Sequence, residues 1–219
     1  QLFAGLLGLG VTSARAQSAV GIFTDSQDIG VGVKAGAATY LAATQQYVLS
    51  GAGQNIWAKQ DEFRYAYQKI KGDFLLYARA EFVGRDGVEA HRKLGWMVRQ
   101  SLAPNSPHVS VAEHGDGLTS LQFRKTAGAM TEETRAKTTF ATILQLERQG
   151  NTYTMRVAAY GQPFETQQVT SLDLGDEVYV GLFVGSHNAD VAETAVFRDV
   201  RISTPAPAGL VPYQQYLGS

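Results

Sequence analysis

The chain has 219 residues, 44% hydrophobic and only 18% charged, and its 19 Lys and Arg nearly cancel its 20 Asp and Glu to leave a net charge of -1. This composition suits one domain with an ample core and excludes disorder and coiled coil. It offers no global basic field for nucleic acid, and the absence of cysteine excludes disulfides, thiolate metal sites and Cys nucleophiles.

At the start of the chain, the apolar run Leu2 to Val11 is about half as long as a membrane helix, so no membrane span is expected. Ala14 and Ala16 follow it as an A-x-A cleavage pattern. Residues 1–16 therefore read as the remnant of a signal peptide, and an exported, periplasmic or secreted location follows. From residue 17 onward, no stretch sustains the i, i+3, i+4 spacing of an amphipathic helix. Short alternating runs rich in β-branched and aromatic residues recur instead. They predict strands at Val20 to Phe23, Ala38 to Leu49, Phe63 to Ile70, Phe74 to Phe82, Lys93 to Leu102 and His108 to His114. Further strands are expected at Leu118 to Lys125, Thr139 to Arg148, Thr152 to Tyr160, Glu177 to Gly185 and Ala192 to Ile202. Lys71-Gly72-Asp73, Gly115-Asp116-Gly117 and Gln149-Gly150-Asn151 read as tight hairpin joints, and Met130 to Lys137 as a loop or a single helical turn. About eleven strands without helices predict an all-β, two-sheet antiparallel β-sandwich over residues 17–203. Proline-rich residues 204–219 read as a linker toward a domain outside this chain.

Residues two apart share a face of a strand. Phe74, Leu76, Ala78, Ala80 and Phe82 are then core, as are Trp96, Val98, Leu121, Phe123, Phe140, Leu144 and Leu146. With these strands as neighbours in one sheet, the outward face collects Tyr77, Arg79, Glu81, Met97, Arg99, Gln122, Arg124, Gln145 and Glu147. Sugars offer hydroxyls that need paired donors and acceptors, and C–H faces that stack on rings. Tyr77, Arg79, Glu81, Arg99, Gln122 and Arg124, rimmed by His114 and His187, are therefore the candidate glycan-binding residues. Solvated charges paired across strands are the plain alternative for any one of them. Arginines on adjacent strands would repel one another unless something anionic or polar met them.

Other motifs carry less. Gly30-Val-Gly32-Val-Lys-Ala35 leads into a β pattern rather than the helix a dinucleotide site needs. His108 and His114 would lie about 20 Å apart along one strand at about 3.3 Å per residue, too far to share a metal. Asp25 with Asp28, and Asn188 with Asp190, have the oxygen ligands loop-bound calcium would use, but the calcium-loop series is missing and turn-forming roles are expected. No cofactor is assigned. Gly185-Ser186-His187 lacks the nucleophile-elbow pattern. Glycoside hydrolysis would need an outward carboxylate pair, for which Glu81 with Glu113, or Asp61-Glu62, are candidates.

Asn55-Ile-Trp57-Ala-Lys-Gln-Asp61-Glu-Phe63, Gly72-Asp-Phe74, Gly95-Trp-Met-Val-Arg99-Gln-Ser101, Gly181-Leu-Phe-Val-Gly185-Ser-His187-Asn188 and Phe197-Arg-Asp-Val200 occur in order. Over residues 18–202 this resembles the concanavalin A-like lectin/glucanase sandwich that precedes the propeller of TolB-like, biopolymer transporter-related bacterial proteins. The resemblance implies a jelly-roll fold, association with a glycan or cell-envelope polymer, and a β-propeller downstream. The acidic strand motif of related glucanases is absent. Three functions remain open: a glycan- or envelope-polymer-binding module, a glycoside-acting enzyme with a carboxylate pair, and an interaction domain packing on a propeller.

Overall fold

The computed structural model describes residues 19–31, 33–84 and 89–205. The signal-peptide reading of residues 1–16, and all of the connector beyond Pro205, lie outside the described residues. In chain order the strands are β1 (Asp25–Ile29), β2 (Ala37–Leu41), β3 (Gln46–Gly53), β4 (Ile56–Trp57), β5 (Gln60–Asp61), β6 (Phe63–Lys71), β7 (Phe74–Phe82) and β8 (Lys93–Arg99). They continue with β9 (His108–His114), β10 (Thr119–Arg124), β11 (Glu132–Arg135), β12 (Ile143–Gln149), β13 (Thr152–Ala158), β14 (Glu165–Val169), β15 (Glu177–Gly185) and β16 (Asn188–Ser203). Among the described residues no helix is long and apolar enough to cross a membrane.

Two seven-stranded antiparallel sheets form the sandwich expected from the alternation. The front sheet runs β1-β6-β15-β8-β9-β10-β11 and the back sheet β14-β13-β12-β7-β16-β3-β2, while β4 and β5 form a separate small hairpin. Trp96, Val98, Val111, Leu121 and Leu182 from the front sheet meet Leu76, Ala78, Leu144, Leu146 and Phe197 from the back sheet in one buried core. These positions follow the period-two pattern because a residue's neighbours two along share its face.

The strands that the sequence does not announce are mostly edges. β1 (DSQDI), β11 (EETR) and β14 (ETQQV) each close one side of a sheet. An edge buries little apolar surface, and polar side chains there discourage pairing with another chain. Thus Met130 to Lys137 contains a strand rather than a helical turn. Ala38 to Leu49 is two strands joined by a turn at residues 42–45, and Val20 to Phe23 is closed by an isolated bridge rather than a ladder. Phe140 is not core: it precedes β12, has φ of 52° and is 62% exposed.

The joint at Lys71-Gly72-Asp73 is the most consequential difference. Its glycine has φ of 77°, as a tight turn allows, but β6 lies in the front sheet and β7 in the back sheet. The chain crosses between layers there, and crosses back between β7 and β8. By contrast, β9–β10 and β12–β13 are true hairpins around the other two joints.

Candidate functional site

The crossing at residue 72 divides the expected glycan face in two. Tyr77, Arg79 and Glu81 point out from the back sheet, with Gln145 paired opposite Tyr77. Arg99, His114, Gln122 and Arg124 belong to the front sheet, on the opposite side of the molecule's core. On the back sheet the charges satisfy one another: Arg79 Nε meets Asp199 at 2.5 Å, Arg156 meets Glu147 at 2.7 Å, and Arg198 pairs with Glu81. Such half-exposed pairs are worth about 0–1 kcal/mol each. Tyr77 and Arg79 therefore do not share a site with the others, and Glu81 meets only His114, in a cleft at the ends of the two sheets.

On the front sheet, the face turned away from the core is itself largely covered. Phe63, Tyr65, Tyr67, Met97, Ala112 and Phe183 form a second apolar cluster with Ile29 and Ile56. Beside it Asp61, carried in by the β4–β5 hairpin, is fully buried between two arginines. Arg124 grips the carboxylate with both terminal nitrogens, at 2.8 and 2.7 Å, and Arg99 Nη1 donates to it at 2.7 Å. Carbonyls of Ala58, Ala103, Ser106 and Ala129 accept further guanidinium protons. The anion that adjacent arginines require is thus internal. Arg99 and Arg124 hold the hairpin and the 101–107 and 126–131 loops down on the sheet, and both are 0% exposed. They are structural here, and the expectation that they face a ligand is overturned.

Electrostatics in this cluster favour charge separation. Burial alone would raise the Asp61 carboxyl, but His108, Arg124 and Arg99 hold it below its ordinary value. His108, 3.7 Å from Asp61, is pushed down to about 3 by burial, with Asp61 opposing and the arginines reinforcing, so its ring is neutral near pH 7.

Beyond the cluster, the same sheet face opens into a cleft of about 310 Å³. Strand register builds its floor: Lys93 on β8 is opposite His114 on β9, and Gln122 on β10 is opposite Glu133 on β11, with Arg135 two residues further. Asn55 and Trp57 from the hairpin form one wall, and His91 with His187 another. The two histidine rings meet edge to face at 5.3 Å, and His187, at φ of 63°, stands 3.5 Å from Glu89.

Hydrogen bonds orient the floor. Lys93 Nζ donates to Asn55 Oδ1 at 2.8 Å and to the Ile56 carbonyl at 2.9 Å, and lies 5.5 Å from the centre of the Trp57 ring. Burial pulls its pKa down to about 8, against the opposing pull of Glu133 and Asp61. His114 is lowered to about 4, by burial first and then by the Lys93 charge; its Nδ1 is 2.9 Å from the Leu118 carbonyl, which assigns the proton to that nitrogen. Gln122 Nε2 donates to Glu133 at 3.0 Å, while its buried Oε1 has no partner among the described residues. Glu133, which burial would raise, is held low by hydrogen bonds from Arg135 and Gln122.

Of the residues expected at a ligand face, His114, Gln122 and His187 therefore meet in one cleft. Besides Leu118, the additional members are Lys93, Trp57, Asn55, His91, Glu133 and Arg135. Lys93 was visible as the residue that continues the outward parity of Arg99 along β8. Trp57 lies in a two-residue strand too short for any periodic signal.

A second cleft, of about 330 Å³, opens where the sheets' ends part, and both Glu81 and Glu113 border it. Glu113 accepts a short hydrogen bond from the Thr119 hydroxyl, and burial pushes its pKa up to about 8, with that bond opposing. Glu81 is already paired with Arg198 on the outer surface. Asp61 is sealed by its arginines, and Glu62 accepts from the Gln54 amide. Among the described residues no group of three His, Asp or Glu is placed to hold a metal. Asp28 pairs with Arg64 and accepts from the Gly36 amide, while Asn188 caps the amide of Asp190.

No family model and no curated protein matches the chain. Solved structures do. A functionally unknown protein from Saccharomyces cerevisiae aligns over 78% of this chain and 92% of its own, with 10% identity and a TM-score of 0.60. Carbohydrate binding module CBM66 from Bacillus subtilis aligns over 84% and 98%, with 15% identity and a TM-score of 0.52. The alginate lyase from Klebsiella pneumoniae aligns over 77% and 84%, with 10% identity and a TM-score of 0.50. At these identities the likeness is one of fold, the concanavalin A-like jelly-roll sandwich.

Proposed function

We propose that this chain is an extracytoplasmic carbohydrate-binding module and that it seats a glycan in the front-sheet cleft. The observation that carries the reading is the pairing of the Trp57 ring with a floor of fixed polar groups, among them the unpartnered Gln122 Oε1. An aromatic wall suits the C–H face of a sugar, and a buried acceptor gains a hydrogen bond when a hydroxyl reaches it. The cleft volume sits at the lower end of small-ligand sites, which run about 300–1,000 Å³. The shared fold with a carbohydrate binding module and an alginate lyase supports this assignment. Export, a glycan or envelope polymer as partner, and a propeller beyond residue 219 belong to the same proposal.

A glycan array probed with the full chain tests it, followed by titration of Trp57→Ala and Gln122→Ala. Each substitution should weaken binding on the order of tenfold, as central contacts do. Absence of any bound glycan, or indifference to both substitutions, refutes the reading.

A second reading, a glycan-cleaving enzyme, draws on Lys93 and His114. Both have pKa values displaced by burial inside the cleft, as acid–base groups do. New reducing ends released from a polymer by the wild-type chain, and not by Lys93→Met, would favour cleavage over binding alone.

A further inference from the structure

We infer that the cleft selects glycans carrying a negative substituent, a uronate carboxylate or a sulfate, and that the Lys93 ammonium is the group that meets it. The inference rests on the glycan-binding reading and names its ligand class. Lys93 is 4% exposed, yet both of its hydrogen-bond acceptors, Asn55 Oδ1 and the Ile56 carbonyl, are neutral. Among the described residues no carboxylate is within ion-pair distance of it. The two acids that attract it from further off are already committed, Glu133 to Arg135 and Gln122, and Asp61 to Arg99 and Arg124.

A buried ammonium without a counter-ion is costly, and a ligand anion that supplies one is bound the more strongly for it. Lysine has three donors, of which two are used, so one remains for a ligand oxygen. At pH 7 the lysine, arginine and carboxylate charges lining the cleft leave an excess of one positive charge, Lys93 and Arg135 against Glu133. Gln122 Oε1, an acceptor without a partner on the same floor, would take a hydroxyl of the same sugar.

Calorimetric titration of the full chain with polygalacturonate, its methyl ester, dextran sulfate and dextran tests the inference. At least one charged polymer should bind tenfold or more tightly than its neutral counterpart; which one does separates carboxylate from sulfate. Lys93→Met should abolish that preference and Lys93→Arg retain it, with thermal melts confirming that each variant is folded.

A pH series gives a readout that a purely structural lysine would not move. The groups facing Lys93 are His114 from β9, Glu133 and Arg135 from β11, Asp61 from the hairpin, and His91 and His187 from the loops. His114 is already neutral and Glu133 and Asp61 ionised at pH 7. The charge preference of the wild type should therefore fade between pH 7 and about 9, whereas that of Lys93→Arg should persist. Equal affinity for charged and neutral polymers, or a preference surviving in Lys93→Met, overturns the inference. Trp57-dependent binding of neutral glycans alone would do the same while leaving the glycan-binding reading intact. No binding to any glycan would sink both.

Discussion

Replacing Asp61 by Asn removes the one anion shared by Arg99 and Arg124 while keeping the side chain's size. Both guanidinium groups are fully buried and lie 2.7 Å from the carboxylate. Stranding a buried charge in this way costs about 3–5 kcal/mol. The cost should not double for two arginines, because carbonyls of Ala58, Ala103, Ser106 and Ala129 still accept from them. Against a total stability of roughly 5–15 kcal/mol, that is about a fifth or more, and a domain of this size should melt roughly 6–20 °C lower. Urea denaturation and a thermal melt read both quantities. Acid should add a signature. The Asp61 pKa is lower in the folded state than its ordinary 3.8, so its stabilisation is present above that value and fades as pH falls through the folded pKa. Asp61→Asn should lose that part of the acid sensitivity. The combined change Asp61→Leu, Arg99→Met and Arg124→Met should recover only part of the stability, since it leaves no charge stranded but deprives the carbonyls of Ala58, Ala103, Ser106 and Ala129 of their donors. A loss below about 1 kcal/mol in Asp61→Asn would refute the account of the cluster as the clamp on the hairpin.

Glu113 has a folded pKa of about 8 against an ordinary 4.5. The folded state then keeps a proton that the unfolded chain has released, so stability should fall as pH rises between those values. His108 and His114, lowered from 6.5, act in the opposite sense below about that pH, so the Glu113 share is read as a difference: from pH 5 to 8, Glu113→Gln should gain stability relative to the wild type in urea titrations. Arg79→Ala should change stability by less than about 1 kcal/mol in the same assay, because its pairing with Asp199 is half exposed. A larger loss would show that the back-sheet pairs are more than solvated charges. Gly95→Ala should cost at least about 2 kcal/mol, or prevent folding. At φ of 152°, a Cβ there would sit 1.8 Å from the Val111 carbonyl oxygen, and normal stability would contradict the close approach of β8 and β9.

Local pattern carried the strands that bury one face. β7, β9 and β15 have the expected ends, since β7 and β15 present apolar residues to the core at every second position and β9 does so at Val109 and Val111. β1, β11 and β14 carry no such pattern for the converse reason, being polar edges with little to bury. Parity was equally legible. Arg99, Gln122 and Arg124 do point away from the core, and so does Tyr77.

What parity cannot express is which layer a strand joins. A glycine turn such as that at Gly72 serves a hairpin or a crossing equally well, because the turn fixes only local backbone angles. Whether β7 pairs with β6 or with β12 and β16 depends on partners 60 or more residues away. That choice put Tyr77, Arg79 and Glu81 on one side of the core and Arg99, His114, Gln122 and Arg124 on the other. Cover is decided at the same level. The β4–β5 hairpin brings Asp61 to two arginines 38 and 63 residues along the chain, closing part of the front face and leaving the cleft beside Lys93 open. Sequence by itself determined an all-β chain and which side chains turn outward, because both follow from residue spacing. Tertiary structure alone decided which of those outward groups meet, because that depends on strand pairing and loop placement at long range.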